Sequence, residues 1–487
     1  MKLVCAALVS LLAGTVGAQT TNPVTKALSL RECIERALAN NLELRVEKLN
    51  PRIADWGVVL RQGEFDPVLS GGVSYRDTAS PTSGGGESKS HALAPSLALG
   101  GRLPTGTGYE FFGDDTRAGG AGITNFLYTG SVGVTLTQPL LRNFWFGPNL
   151  AGIRVARRNL SIAEFNFTRL VMTKVSEVGQ AYYELVFAIE NHKAKLEDLT
   201  RAKQLLAENR KRVEIGVMSP LDVTQAEAGV AEREEAVILA ERQIADNENT
   251  LKRLIAADVA EFAGVTLVPT DLPTMEMVEL DVTRSTRQAL ADRPDFHAVR
   301  EAVERQDILV RYNRNQLWPQ VDLQASYAAA GRAGGFGDLT SDQFNGDYPA
   351  WSVGVIVRVP LGNRQARANY NIARLDAEQA LIGLKQLEQD IVVEVDNAVG
   401  RVRTNLKRLD ATRAARRLAV ESLKAEEAKL KAGTSTSFLV LQAQSQLAAA
   451  QSAEVRARAD YAQSLIALAR AEGATLRRYQ IELEKGR

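Results

Sequence analysis

The chain has 487 residues, 59 Lys and Arg against 58 Asp and Glu, and is 45% hydrophobic and 24% charged. That length fits two to four ordinary domains or one internally duplicated domain, and the balanced charge offers neither a basic nucleic-acid surface nor an acidic tail. Two Cys and three His exclude a disulfide scaffold and leave little for a zinc or haem site, while the lack of any apolar window of about 18 residues beyond the first 18 positions excludes a bundle of membrane-spanning helices.

The N-terminus reads as a secretory signal peptide. Lys2 precedes an apolar run from Leu3 to Val16 that closes on Gly17 and Ala18, and polar residues follow from Gln19 to Thr25, so cleavage after Ala18 and export are expected. Cys5 sits deep in the apolar run rather than just behind a cleavage site, so no lipid anchor is expected. Cys33 precedes Ala37 and Leu38 in a helical pattern and reads as a small buried residue.

A first structural repeat spans 19–257. A helical pattern runs from Leu28 to Glu64 and gives way to strands between about 66 and 138, where Leu69, Val73 and Tyr75 alternate with Ser70, Gly72 and Ser74, and Val132, Val134 and Leu136 with Ser131, Gly133 and Thr135. A long helix from Leu140 to Ile215, a tip at about 216–220 and a helix from Pro220 to Ala257 follow. Residues 258–281 read as an equatorial linker. A second repeat, 282–473, has a helix from Val282 to Leu317 and strands at about 320–359, with Val321, Leu323, Ala325 and Tyr327 on one face and Gln320, Asp322, Gln324 and Ser326 on the other. It continues with a long helix from Leu361 to Ala432, a tip at about 433–437 and a helix from Ser437 to Gly473, leaving a tail at 474–487. Thr78–His91 and Gly331–Asp347 are rich in Gly, Ser, Asp and Thr without a helical period and are expected to be exposed loops.

Two offsets carry the duplication. At 252 residues, Ala37 lies over Ala289, Asp55 over Asp307, Pro67 over Pro319 and Tyr75 over Tyr327. At 217, the series Val175, Val178, Tyr182, Leu185, Ile189, His192, Leu196, Leu199, Lys203, Leu206, Arg210 and Val213 falls on Val392, Val395, Val399, Val402, Leu406, Leu409, Arg413, Arg416, Val420, Leu423, Glu427 and Leu430. Steps of three and four place both series on one helix face, as in a coiled coil. Lys203, Arg210, Arg413, Arg416 and Glu427 interrupt the half nearer the tips, which is expected to be wetter or mobile. Gly216 and Gly433 read as left-handed caps, with Ser219 and Ser435 to Ser437 as starts of the following helices.

The short helices of each copy add up to its long one, at about 75 residues against 76 and about 73 against 72. Two short helices stacked beside one long helix make a column of about 105 to 115 Å, which suits a tube wall better than a globule. Strands of about 9 to 11 residues with one apolar and one polar face fit a transmembrane β-barrel, although alternation also fits a soluble sheet wet on one side. Four strands cannot close a barrel in lipid, so copies must associate: eight strands in a dimer, 12 in a trimer, 16 in a tetramer. The first copy holds about 31 extra residues, because the strand-entry offset of 252 falls to 221 where Pro139 meets Pro360; Leu93–Gly101 and Gly108–Phe112 either extend the sheet as a hairpin around Leu103–Thr107 or decorate an outer loop.

The order of weak motifs, twice over, is specific: GEFDP at Gly63–Pro67 and WPQ at Trp318–Gln320 enter the first strand of each copy, and QPLLRN at Gln138–Asn143 and VPLGN at Val359–Asn363 leave the second. Over nearly the whole mature chain this resembles the TolC-type outer-membrane efflux family. The resemblance implies an α+β membrane protein: a homotrimer with a 12-stranded β-barrel in the outer membrane of a Gram-negative-type cell, four strands from each chain, and a periplasmic α-barrel. It further implies passive export of small molecules or proteins delivered by a periplasmic adaptor and an inner-membrane pump of RND or ABC type. The closed tip that meets the adaptor falls here on Gly216, Met218, Ser219, Pro220 and Asp222 and on Gly433, Thr434, Ser435 and Ser437. Family members narrow the tip with acidic rings; Asp222 matches, while Leu439 and Gln442 stand where such members carry Asp. Asp222 reads equally as a carboxylate favoured by a helix start.

No catalytic, cofactor or metal site is expected. His91, His192 and His297 share no ligand spacing, and the Gly106–Gly108 stretch lacks the context of a dinucleotide or Walker loop. The rival reading from another class is a secreted or surface-attached coiled-coil protein whose strands form a soluble binding head.

Overall fold

The computed structural model describes residues 24–120, 126–272, 280–346 and 348–483. The expected signal peptide, residues 273–279 of the linker and the last four residues of the tail lie outside them. Strand β1 (Val24–Leu28) leads into helices α1 (Leu30–Asn40), α2 (Leu42–Glu47) and α3 (Leu49–Gln62), then strands β2 (Val68–Pro81), β3 (Glu87–Arg102), β4 (Gly108–Gly120) and β5 (Leu127–Pro139). Helices α4 (Phe146–Asn149), α5 (Ala151–Glu214) and α6 (Pro220–Ile255) follow, then β6 (Val265–Pro269), α7 (Val282–Asp292), α8 (Pro294–Asn315), β7 (Gln320–Ala333), α9 (Phe336–Asn345), β8 (Tyr348–Arg358), α10 (Arg364–Lys431), α11 (Ser437–Ala471) and α12 (Thr475–Arg478).

The chain forms two compact parts, a helical one from the chain up to Leu42, Thr173–Leu280 and Ala398–Leu468, and a sheet-bearing one from Glu43–Met172, Asp281–Asn397 and Ala469–Arg487. In the sheet-bearing part, one antiparallel sheet runs in the order β2-β3-β4-β5-β7-β8. The expectation of four strands per chain is therefore corrected to six. The extra hairpin is the whole difference: β3 pairs with β2 from Val68↔Gly100 to Pro81↔Glu87, and β4 with β5 from Gly108↔Thr137 to Ala118↔Leu127. Pairing also corrects Thr78–His91 from loop to strand on either side of a tight turn, where Thr82 N–H donates to Gly86 O at 2.8 Å. The second expected loop contains α9, whose Leu339 is fully buried and lies under Gly331. Phe336, Leu339 and Gln343 do follow helical spacing, but a polar residue at one of the three hides the period.

Two expected helices are broken. Pro51 lacks the N–H that would bond back into the preceding turn and is tolerated only in the first turn of a helix, so α3 starts afresh at Leu49. Pro294 does the same at the first position of α8, and Arg293 before it is held extended. Salt bridges from Arg158 to Glu301 at 2.7 Å and Glu304 at 2.8 Å join α5 to α8, and Val58 of α3 packs on Ile153 and Ala156 of α5.

In the helical part, β1 and β6 form a parallel pair from Val24↔Val265 to Leu28↔Pro269, a strap unforeseen in what read as a chain start and a linker. Tyr182, fully buried, donates from its hydroxyl to Leu28 O at 3.2 Å and accepts from Asp271 N–H at 2.9 Å; burial pushes its pKa up to about 12. Glu248 accepts from Leu267 N–H and binds Lys252 at 3.1 Å, so α6 holds the other side of the strap. Ser29 and Glu32 form a reciprocal capping box that starts α1.

The expected coiled-coil face holds along α10, where Val399, Val402, Leu409, Leu423 and Leu430 are buried. On α5 it drifts. Beyond Leu185 the buried residues are Val186, Ala188, Ala194, Asp198, Ala202, Leu205 and Asn209, whereas Leu196, Lys203 and Arg210 are exposed. A straight α-helix gains on a 3.5-residue repeat with every heptad, so the buried stripe shifts by a residue or two along a helix of 64 residues.

Candidate functional site

Two features are positioned for function: the two-faced sheet, and the turns that end the long helices. Residues paired across a sheet share a face. One row across all six strands is Leu69, Leu99, Phe111, Val134, Tyr327 and Trp351. The adjacent row on the opposite face is Val68, Gly100, Glu110, Thr135, Ser326 and Ser352. The first face remains open, with Leu69, Leu97, Phe111, Tyr327, Trp351, Val353 and Val355 all exposed. The second is polar and bonded across strands, Ser131 donating to Asp114 and Ser326 sharing a hydrogen with Ser352, each at 2.7 Å. Among the described residues β2 pairs only with β3 and β8 only with β7, so both edges present unpaired backbone groups.

The strand ends nearest the helices are fastened. Arg142 donates to Gln316 at 2.7 Å, Asn143 N–H to Asn315 at 2.8 Å, and Asn363 to Leu317 O at 3.0 Å, tying the exit of β5 and the start of α10 to the end of α8.

The two tips share one backbone geometry. Gly216 has φ of 75° and Gly433 of 76°, in the left-handed region that costs a residue with a Cβ about 1–2 kcal/mol. Val217 N–H reaches Arg212 O at 2.9 Å, and Thr434 N–H reaches Lys429 O at 2.9 Å, capping the carbonyls that end α5 and α10. Ser219 accepts from Leu221 N–H at 3.2 Å as the N-cap of α6, Pro220 takes its first position, and Asp222, partly exposed, lies in its first turn. Met218 is half-buried beside them. Thr434 donates back to Lys429 O, and Ser435 donates to Glu426 at 3.0 Å; the hydrogen bonds of Lys429 and then Ser435 hold the Glu426 carboxyl below its usual range.

Ser437 alone among the expected tip residues is deeply buried, where it accepts from Asn209 of α5 at 2.5 Å. With Arg212 donating to Leu430 O at 3.4 Å, this fastens the end of α5 to the second tip. Sequence reasoning missed the polar core behind the first tip. Arg233, buried on α6, donates to Asp198 of α5 at 2.9 Å, to Ser445 of α11 at 2.9 Å and to Gly229 O at 2.9 Å. Its local sequence, among Glu232, Glu234 and Glu235, reads as a solvated face, and nothing nearby points to a partner 35 residues earlier.

Cys33 is fully buried, and burial pushes its thiol up to about 12, away from reactivity. Among the described residues no three His, Cys, Asp or Glu are grouped to hold a metal ion.

The sequence pattern of outer membrane efflux proteins matches residues 33–257 and 286–474. The outer membrane efflux protein BepC of Brucella suis is 24% identical over 484 residues, covering 97% of this chain and 90% of that protein. The crystal structure of the Campylobacter jejuni CmeC outer membrane channel superposes with a TM-score of 0.69 at 18% identity, over 92% of this chain and 86% of that one. The outer-membrane channel OprN gives 0.71 at 19% identity, over 91% and 90%. The fold is thus that of the TolC-type channels.

Proposed function

The chain belongs to the outer membrane efflux protein family, and on that premise we propose that three copies form a passive exit duct through the outer membrane, supplied by a periplasmic adaptor and an inner-membrane pump. The observation that carries this reading is the two-faced open sheet. Among the described residues only α9 packs on its apolar side, at the end near Gly331, the row from Leu69 to Trp351 stays open, and its two edges have unpaired backbone groups that lipid cannot satisfy. Six strands is an even number, so β8 of one copy meets β2 of the next antiparallel, and a ring of identical joints removes every edge. The apolar side then faces lipid and the polar side lines water. A soluble adhesive head would leave the row from Leu69 to Trp351 in contact with water, which argues against the rival reading.

The tips at 216–222 and 433–437 are the proposed aperture and adaptor-docking region, and opening is a shift between two hairpin packings that the adaptor biases. The fractionated protein should stay with outer membranes after carbonate washing, run as a trimer in mild detergent and conduct ions in a planar bilayer. A monomeric, water-soluble and non-conducting protein would overturn the proposal. Which pump, and whether its cargo is a small molecule or a protein, belongs to the genes expressed with it.

A further inference from the structure

We propose that the β3–β4 hairpin is part of the membrane-crossing wall, so that three copies close an 18-stranded barrel with a lumen wide enough for bulky hydrated cargo. The proposal rests on the trimeric-duct reading above and departs from the 12 strands that four per chain would supply.

Pairing is the first support. β2 and β5, which a four-stranded sheet would join directly, are each paired along their length to the hairpin instead. Moving the hairpin out of the wall would strip both strands of their ladders inside lipid, where no water replaces the lost hydrogen bonds. A hairpin that only decorated an outer loop would pair with itself and leave β2 and β5 in contact.

Face is the second support. Leu93, Leu97 and Leu99 of β3 and Tyr109 and Phe111 of β4 continue the apolar side without a gap between β2 and β5. Charged residues on that side of the hairpin gather at its end away from the helices, Arg117 opposite Leu93 and half-buried with Asp115, and Glu87 and Lys89 farther along and paired with each other in the open. Gln343 of α9 donates to Asp115 at 2.9 Å, and the Arg117 guanidinium sits 3.6 Å from the centre of the Phe126 ring. Pro95 lies inside β3, yet it interrupts only the rungs to β4 around positions 94 and 95 and keeps its place in the register with β2.

Anchoring is the third support. The turn between the strands carries Gly106 at φ of 89°, with its Cβ position 2.6 Å from Asn143 O, so only glycine fits. Thr107 donates to Gln138, and Arg102 donates to Asn149 at 2.6 Å. The hairpin therefore ends at the place where β5 passes into α4, as a wall strand must.

The consequence is calibre. Barrel diameter grows roughly linearly with strand number, so 18 strands in place of 12 widen it about 1.5-fold and its cross-section about 2.2-fold. Ala94, Ser96, Ala98 and Gly100 supply the polar-side positions of β3, too small to refill that space. Sieving then falls to the helical tips, and the outer mouth passes whatever they admit.

Nitroxide labels test this in the trimer reconstituted in lipid. Single variants L97C, L99C and F111C should favour oxygen, which partitions into lipid, and S96C, A98C and E110C should favour a water-soluble nickel complex. V353C and V355C against S352C in β8 serve as the internal reference, and Cys33 is buried and silent. The expected result is several-fold alternation of the same sign in β3, β4 and β8, with 18 strands counted in images of the trimer. Alternation in β8 alone, with both faces of β3 and β4 open to nickel and 12 strands in the images, overturns the hairpin proposal and leaves the duct reading standing. Loss of alternation in β8 as well removes the duct reading and this inference with it.

Discussion

The hairpins that turn at Gly216 and Gly433 share a backbone geometry and differ in what holds them shut. Behind the second turn, Leu423 and Leu430 of α10 close on Val440, Ala443 and Leu447 of α11, with Leu205 of α5 filling the same cluster. Behind the first turn, Asp198, Arg233 and Asn209 share the buried positions with the small residues Ala202, Ala226 and Val230, while Lys203 binds Glu234 and Arg210 binds Glu227 across the exposed side, each at 2.7 Å. Apolar packing is non-directional and loses little when helices slide by a fraction of a turn. Buried hydrogen bonds are made or broken, and a chain of them has discrete alternatives. The difference teaches that a switch between two packings is best built into the first hairpin, with the second as the fixed jamb.

The comparison can be broken most severely at Arg233. Arg233→Met leaves Asp198 buried with its main partner gone and should cost about 3–5 kcal/mol in urea or thermal unfolding, with increased conductance of the trimer; adding Asp198→Leu should recover most of the stability. A single variant as stable as the parent would show that the pair is not closed in solution. Leu423→Ala should cost about 2–5 kcal/mol through its cavity, without a matching gain in conductance. Equal opening by both variants would erase the distinction between the hairpins.

Acid tests the second hairpin, which has a buried charge of its own farther from its turn. Glu454 of α11 is buried between Arg416 at 2.9 Å and Arg458. Burial alone would raise its pKa, but the two guanidiniums prevail and hold it below the ordinary 4.5. Because the folded value lies below the unfolded one, the carboxylate stabilises the fold above about pH 4.5, and that stability is lost as pH falls from there through the folded value. Unfolding curves from pH 7 to 3 should show the loss, and Glu454→Gln should flatten it. Gly216→Ala and Gly433→Ala should cost about 1–2 kcal/mol each, from the same left-handed φ, yet only the first should raise conductance. Asp222→Asn sharpens the smallest point: a carboxylate acting only on the α6 dipole is worth about 0.3–1 kcal/mol, fading with salt, whereas a change in cation preference of the open channel marks an aperture role.

Much of this was legible because it is periodic. The alternation at Val353 to Val357 gave β8, and Gly216 and Gly433 gave both turns, since these signals are local. The hairpin at 93–112 read as an undecided insertion, because only pairing with β2 and β5 distinguishes a wall strand from a loop. The α5 seam was misplaced beyond Leu185 because drift accumulates over distance, and Asp198 with Arg233 was hidden because a buried ion pair looks in sequence like two solvated charges. The β1–β6 strap escapes the sequence for a different reason: two five-residue strands carry too short a period to announce themselves.

That strap constrains the order of assembly. Val24 pairs with Val265, so the first described residues have no partner until the chain beyond the middle of the molecule has arrived. Contacts of such separation in sequence form slowly, because a long loop must close before any of its bonds is made. If the proposed duct is assembled from chains threaded into the periplasm N-terminus first, each waits there with β1 loose and its apolar strands uncovered, and holding factors in that compartment have the longest time to act before the copies meet.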